Sequence, residues 1–402
     1  MCPTHSEPPV HPGRVDLYCR AVHLVDLPAF YPPHRGGVET YAHELHQRLL
    51  ATDPDLRITV LTSEVGASPG REVLGDRWTV IRWPALQPVP LYPMPRPGFR
   101  RLVRDHLGPD TVLMTHTRFY RHAAIAGNLA KKHGVGWLHV EHGSTPVQAG
   151  GTLVRRTADT VDLTMGRPLL QAADRVIAVS AASADFVKRL SGREARVLYR
   201  GVELPHGLSA NPPATGEPVL CCVGRLITSK GIADLFHAVA QLDREGTRVR
   251  VRLVGDGPDR GEFERLAERL GIADRVTFLG STEHLVALEE MARATVMVNP
   301  SWTEGLPTTV LEAAALGCAV VATDVGGTSE IVTDGESGWV VPERRPDLLA
   351  AALRAALNDP SERSRRAMRL AVQARDKFSW ERTVAGYLEL LHELHATSAT
   401  RP

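Results

Sequence analysis

Short apolar runs and helix-like stretches alternate along this chain in two successive series, separated by a segment that fits neither pattern. In the first series, strands are predicted at 18–25, 57–62, 78–82, 111–115, 136–141, 175–179 and 196–199. Helices fall between them at 38–50, 99–106, 121–133, 167–173 and 181–190. Pro205–Pro218 then breaks every period and reads as a linker. The second series places strands at 218–223, 248–254, 275–279, 295–299, 318–322 and 338–341, with helices at 231–243, 259–270, 283–293, 308–316 and 346–357. Strands that alternate with helices pair in parallel through right-handed crossovers. The expected fold is therefore α/β, with two tandem Rossmann-like doubly wound parallel-sheet domains and a ligand cleft between them. The boundaries expected are a disordered polar leader over 1–14, a first domain over 15–204 and a linker over 205–217. A second domain follows over 218–378. A final helix over 379–402, carrying Trp380, Tyr387, Leu388, Leu390 and Leu391, is long enough to pack back on the first domain.

Composition narrows the class. Of 402 residues, 43% are hydrophobic and 23% charged, the balance of a soluble globular protein. The net charge of +1 conceals an asymmetry: residues 1–205 hold 25 Lys and Arg against 19 Asp and Glu, and the remainder holds 22 against 27. That suits an anionic partner on the first half but is too weak for nucleic acid. Five cysteines without metal-ligand spacing read as reduced thiols of a cytoplasmic protein. No apolar run approaches the ~18 residues of a membrane span.

The densest information lies between Met297 and Glu330. Val296–Val298 is a buried strand, Pro300 and Gly305-Leu306-Pro307 end it, and Thr308 or Thr309 is placed to cap the helix running to Gly317. A helix start of this kind suits a phosphate. Glu312, read as lying on the first turn, can accept hydrogen bonds from two vicinal hydroxyls, as on a ribose. The same pattern also arises in helices with no ligand, because the dipole favours Glu there.

Other strand ends carry further candidates. Arg225 and Lys230 stand five apart after the strand VLCCVG, and Lys230 is one of only five lysines. Two such cations can clamp a diphosphate leaving group. Gly255-Asp256-Gly257-Pro258 echoes a dinucleotide fingerprint but lacks its third glycine. Gly280-Ser281 offers backbone against a base. In the first half, Gly36-Gly37 precedes a helix and permits close approach of a phosphate or sugar. His142 ends the strand of WLHVEHGS, facing the expected cleft.

Together these motifs resemble the retaining glycosyltransferases of family four, in their bacterial form, which have the glycosyltransferase-B fold. The resemblance runs from Gly36-Gly37-Val38-Glu39 to the Trp380 helix. Its most specific parts are VGRLITSKG (223–231), GDGP (255–258), EGLPTTVLEAAALG (304–317) and GG..E (326–330). It implies that Arg225 and Lys230 bind the donor diphosphate with backbone amides near Gly37 and at Leu306, Pro307, Thr308 and Thr309. It also implies that Glu312 binds the ribose, that Glu304 and Gly305 meet the transferred sugar, and that His142 assists there. Arg200 stands where the family often has Asn. The activity implied is transfer from a nucleotide diphosphate sugar, commonly a UDP sugar, in cell-envelope glycan, glycolipid or natural-product biosynthesis. No cofactor beyond this co-substrate is expected. No metal is expected either, since the only Asp-x-Asp, Asp53-Pro54-Asp55, reads as a turn.

The acceptor side is less defined. His116, Arg118, Tyr120 and Arg121, with His122, follow one strand of the first half. Pro95–Arg104 sets Phe99, Leu102 and Val103 beside Arg100, Arg101 and Arg104, which suits peripheral contact with an anionic membrane and a lipid-linked acceptor. Two other activities fit parts of the pattern. One is a nucleotide-sugar 2-epimerase on the same fold; the other is a nicotinamide-dependent oxidoreductase, resting on Gly255-x-Gly257 alone.

Overall fold

The computed structural model describes residues 21–34, 36–66, 70–89, 92–146, 152–205, 207–212 and 216–398. The leader expected over 1–14, Cys2 and Cys19 lie outside them. The first sheet contains β1 (His23–Leu27), β2 (Arg57–Val65), β3 (Gly70–Gly75), β4 (Trp78–Val89), β5 (Tyr92–Pro95), β6 (Thr111–His116), β7 (Gly136–Glu141), β8 (Arg175–Ala178) and β9 (Arg196–Val197). Their order is β3-β4-β2-β1-β6-β7-β8-β9, with β5 beside β4. The second sheet contains β10 (Val219–Val223), β11 (Arg250–Val254), β12 (Val276–Gly280), β13 (Val296–Asn299), β14 (Val320–Thr323) and β15 (Trp339–Val341), in the order β12-β11-β10-β13-β14-β15. Both domains are thus doubly wound. The strand order reverses at β1 in the first, between β2 and β6, and at β10 in the second, between β11 and β13. Ligands sit outside the carboxyl ends of strands at such switch points.

The second sheet is parallel throughout, as the near-continuous apolar runs VLCCV, VMVN and VVAT require of strands covered on both faces. The first departs from the expectation. β3 and β5 pair antiparallel with β4, so the sheet is parallel only from β4 inward. The β3 residues are all exposed, and Gly75–Arg77 turns the chain directly back into β4. An exposed edge hairpin leaves little apolar signature, which is why its strand is missing from the pattern. A helix at Thr152–Val161 was also unanticipated.

The helix Trp380–Ser398 packs on the first domain. Leu394 lies against Gly136 of β7, and the Tyr41 hydroxyl donates to that of Tyr387 at 2.7 Å. Its buried Trp380, Val384, Tyr387 and Leu391 belong to one apolar cluster that also takes in Leu138 and Met114 of the first sheet and Leu306, Val310 and Leu311 of the second domain. The Asp53-Pro54-Asp55 segment serves this packing. Asp53 accepts hydrogen bonds from its own turn at Asp55 and Leu56, and meets His392 of the last helix at 3.0 Å. The linker is pinned to the second domain by Ala210 to Leu316 and Asn211 to Ala292 backbone bonds. No helix among the described residues is long and apolar enough to cross a membrane.

Candidate active site

The loops at the two switch points face each other across a cleft of about 340 Å³. From the first domain come Phe30, Gly36, Gly37, Thr117, Tyr120 and His142; from the second come Arg225, Lys230, Glu304 and Gly305. A larger hollow of about 820 Å³ lies between the helices Gly37–Thr52 and Trp380–Ser398, but none of His142, Arg225, Lys230, Glu304 and Glu312 lines it. Chemistry, not size, therefore selects the cleft.

The second domain's wall is built around Glu304. Strand β13 ends at Asn299, and the loop turns so that Glu304 Oε1 accepts from Lys230 Nζ and from Ser301 Oγ, both at 2.6 Å. Lys230 reaches it because Gly231 holds φ +65 and lies directly against the Pro300 carbonyl, where a Cβ would overlap. Arg225 is exposed at the mouth of the same cleft.

Gly305 brings the two domains into contact: a Cβ there would overlap the carbonyl oxygen of His142. Around that contact the Ser144 hydroxyl donates to the Glu304 carbonyl, and Thr145 and Thr303 share a hydroxyl hydrogen bond at 2.9 Å. Ser180 Oγ donates to the Gly305 carbonyl at 2.9 Å. Glu330, from the GG..E motif, takes the backbone N–H groups of Ala181 and Ala182 at 2.8 and 3.0 Å, so a second-domain carboxylate closes the start of a first-domain helix.

His142 follows β7 in a loop fixed from beneath. Arg118 is 1% exposed and donates to Glu141 at 3.0 Å and to both Asp162 oxygens at 2.9 and 2.8 Å. The Gly143 N–H also donates to Glu141, at 2.7 Å. Burial opposes ionisation of Glu141, but Arg118 outweighs it and holds its carboxyl down at about 2. Burial pushes the His142 imidazole down to about 3, with His116 adding to the effect, so it is neutral at physiological pH. At the end of β6, Thr117 holds φ 56, a costly conformation for a β-branched residue, where the chain bends into the cleft.

Several sequence expectations change here. Arg118 lines the cleft, but its guanidinium is committed to Glu141 and Asp162, so it positions the loop. His116 is 1% exposed and bonded on both ring nitrogens. His122 is fully buried against Ser63. Of that group His116, Arg118 and Tyr120 line the cleft, and Arg121 is exposed away from it. The helix Thr308–Leu316 is not capped by Thr308 or Thr309, since Pro307 is its N-cap and no side chain caps it. Glu312, its fifth residue, stands on the second turn. With Thr308 it lines a narrower crevice shared with Glu44, Arg200 and His284, where His284 Nε2 lies 3.0 Å from its carboxylate. Gly257, Gly280 and Ser281 line neither crevice. The Gly257 N–H donates to Asp256, and its Cα packs against the Leu226 backbone. In the helix Phe99–Arg104, Phe99 and Val103 are buried in the core, Leu102 is partly buried, and Arg100, Arg101 and Arg104 are exposed.

Sequence reading missed Asp26, Glu141, Ser144, Ser180 and His284 as site partners. Asp26 did leave a signal, being a lone acid inside the apolar strand HLVDL.

Two family descriptions divide the chain at the linker: "Glycosyltransferase Family 4" matches residues 35–205 and "Glycosyl transferases group 1" matches residues 209–375. The chain belongs to the family-four glycosyltransferases. This glycosyltransferase is 25% identical to the uncharacterized glycosyltransferase MJ1069 of Methanocaldococcus jannaschii, over 93% of its own length and 99% of that protein. It is 29% identical to a glycogen synthase of Mycobacterium tuberculosis, over 73% and 71% of the two chains. Among solved structures, the sucrose-phosphate synthase of Thermosynechococcus elongatus superposes with a TM-score of 0.78 at 25% identity, covering 93% of this chain and 99% of that one. These likenesses carry the glycosyltransferase-B fold and transferase class. They remove the oxidoreductase alternative.

Proposed function

We propose that this glycosyltransferase moves a sugar from a nucleoside diphosphate sugar to an acceptor hydroxyl with retention, by front-face transfer. The observation that carries this reading is the convergence of Arg225, Lys230 and Glu304 with His142 on one cleft. The cations would take the diphosphate as its charge develops, and Glu312 the ribose once His284 is displaced. In the step, the acceptor oxygen bonds to the anomeric carbon while the bond from that carbon to the phosphate oxygen breaks. The departing phosphate oxygen receives the acceptor proton. The protein supplies position and charge, not a nucleophile. Glu304 supports this division: Lys230 and Ser301 already occupy one of its oxygens, which suits holding sugar hydroxyls better than attacking carbon.

The donor expected from the family is a UDP sugar. Neither a metal nor a further cofactor enters the proposed step, so turnover should survive EDTA. The setting proposed is the cytoplasm, with any membrane contact confined to the charges of Arg100, Arg101 and Arg104; sedimentation with anionic vesicles tests it.

A thermal-shift panel with UDP, GDP, ADP and NAD tests the reading. A ligand at ~100 times its dissociation constant stabilises a fold by about 2.7 kcal/mol. Selective stabilisation by one nucleoside diphosphate supports the proposal and names the base. Stabilisation by none of the three would overturn it. An epimerase would interconvert the donor without an acceptor, which product analysis of the donor alone detects.

A further inference from the structure

His142 is the cleft end of a polar chain that runs through the first domain's core. Its Nε2 lies 3.0 Å from His116 Nδ1, and His116 Nε2 lies 3.0 Å from Asp26 Oδ1. On the far side, Asp26 Oδ2 is 2.9 Å from His46 Nε2, and His46 Nδ1 is 2.8 Å from the Tyr31 hydroxyl. His43 Nδ1 ends the chain 3.3 Å from that hydroxyl. Asp26, His46, His116 and Tyr31 are all at most 2% exposed. The geometry follows from the topology: β1 and β6 are parallel neighbours in register, with Leu27 opposite Thr115, so their ends set Asp26 beside His116. β7, next in order, delivers His142.

The donors in this chain can be assigned from the carboxylate outward. Burial opposes ionisation of Asp26, but His116 and then His46 outweigh it and hold the carboxyl below its ordinary range. A carboxylate only accepts, so His116, hydrogen-bonded to Asp26 Oδ2 at 3.1 Å, presents an Nε2–H to it, whereas His46 Nε2 lies close without hydrogen-bond geometry. With that one proton and no second, His116 offers its Nδ1 as an acceptor. Tyr31, whose ionisation burial disfavours, shares a hydrogen bond with His46. His142 must then donate its Nε2–H to His116, which leaves its Nδ1 with an open lone pair.

We propose that Asp26 and His116 are positioning residues that fix His142 as the Nε2–H tautomer, so that Nδ1 accepts a hydrogen bond from a sugar hydroxyl in the cleft. No proton changes owner in that contact. An extra proton on His116 or the opposite tautomer would turn Nδ1 into a donor and lose the interaction. The occupant of the cleft rests on the reading under Proposed function; the tautomer does not.

Long-range proton–nitrogen correlation of nitrogen-15 histidine-labelled protein reads the tautomer directly, with His142 assigned by its loss in His142→Gln. The expected spectrum shows a protonated Nε2 and a bare Nδ1 in the unliganded protein; a protonated Nδ1 overturns the proposal. Asp26→Asn can turn an N–H toward His116 Nε2 where the carboxylate can only accept, so it should scramble the tautomer. Slow hydrolysis of whichever of UDP-glucose and GDP-mannose binds should then fall at least about tenfold, with nucleotide affinity within about twofold. Unchanged tautomer and turnover would refute the coupling. If Asp26→Asn does not fold, His116→Gln and the wild-type spectrum still decide. If neither nucleotide sugar binds the wild type, the functional reading falls while the spectrum still judges the tautomer.

Discussion

Lys230 and Glu304 are each other's partner in the unliganded cleft, so a donor phosphate must win Lys230 from a carboxylate 2.6 Å away. Replacing Lys230 or Arg225 by Ala should cost roughly 10²-fold in kcat, because either change removes charge where the leaving group develops it. Near-normal turnover in both would dismiss the clamp. Gly305 is constrained differently. Any side chain there meets the His142 carbonyl, so Gly305→Ala should spread the cleft and lose about 10²-fold in kcat, as small misplacements of reacting groups do. The His284–Glu312 pair gives a pH dependence. The hydrogen bond to Glu312 raises the His284 pKa, so the pair is firm below the ordinary histidine value and loosens as pH rises through the raised one. Donor KM should therefore fall as pH climbs through neutrality, and His284→Asn should flatten that trend. The motif residues were legible because each ends an apolar strand. Asp26, Ser180 and the role of Glu330 were not, because their partners lie 90, 125 and 149 positions away in sequence.

At the scale of elements, the strands buried on both faces read clearly from the sequence, and exposed elements did not. β10 to β15 fall within two residues of expectation, since parallel interior strands are apolar throughout. The exposed edge strand β3 was invisible for the opposite reason, and nothing in the pattern of the helix Phe99–Arg104 said that Phe99 and Val103 face the core. The last helix is an integral wall of the first domain. Trp380 is 6% exposed, with Arg48 stacked at 4.3 Å from its ring and Gly201 packed against it. Trp380→Ala should cost about 3–5 kcal/mol in chemical denaturation. A loss under 1 kcal/mol would mean that the helix is only an appendage.

For the whole molecule, Ser144, Thr145, Ser180 and Glu330 make the polar contacts that close the cleft, beside the apolar cluster that the two domains share. Glu330→Ala should remove a latch without touching the chemistry, so small-angle scattering should show a larger radius of gyration. Identical scattering curves would place closure elsewhere. The buried imidazoles set the response to acid. Burial holds His122 and His142 at about 3, and His23 at about 4, all below the unfolded value. Each therefore contributes stability above the unfolded pKa of about 6.5 that is lost as pH falls toward the folded values. The melting temperature should fall steadily from pH 6.5 to 4, and His122→Gln should lessen the slope.

The return of the Trp380–Ser398 helix to the first domain also sets an order of events during synthesis. The ribosome makes the β1–β9 sheet first, yet the wall that covers β6 and β7 leaves the exit tunnel after the whole second domain. The second domain, whose six strands and intervening helices are contiguous, can reach its final form while the first still waits for that wall. A nascent chain arrested before residue 380 should show a protease-resistant second domain and a sensitive first one, inverting the usual rule that what is translated first is finished first.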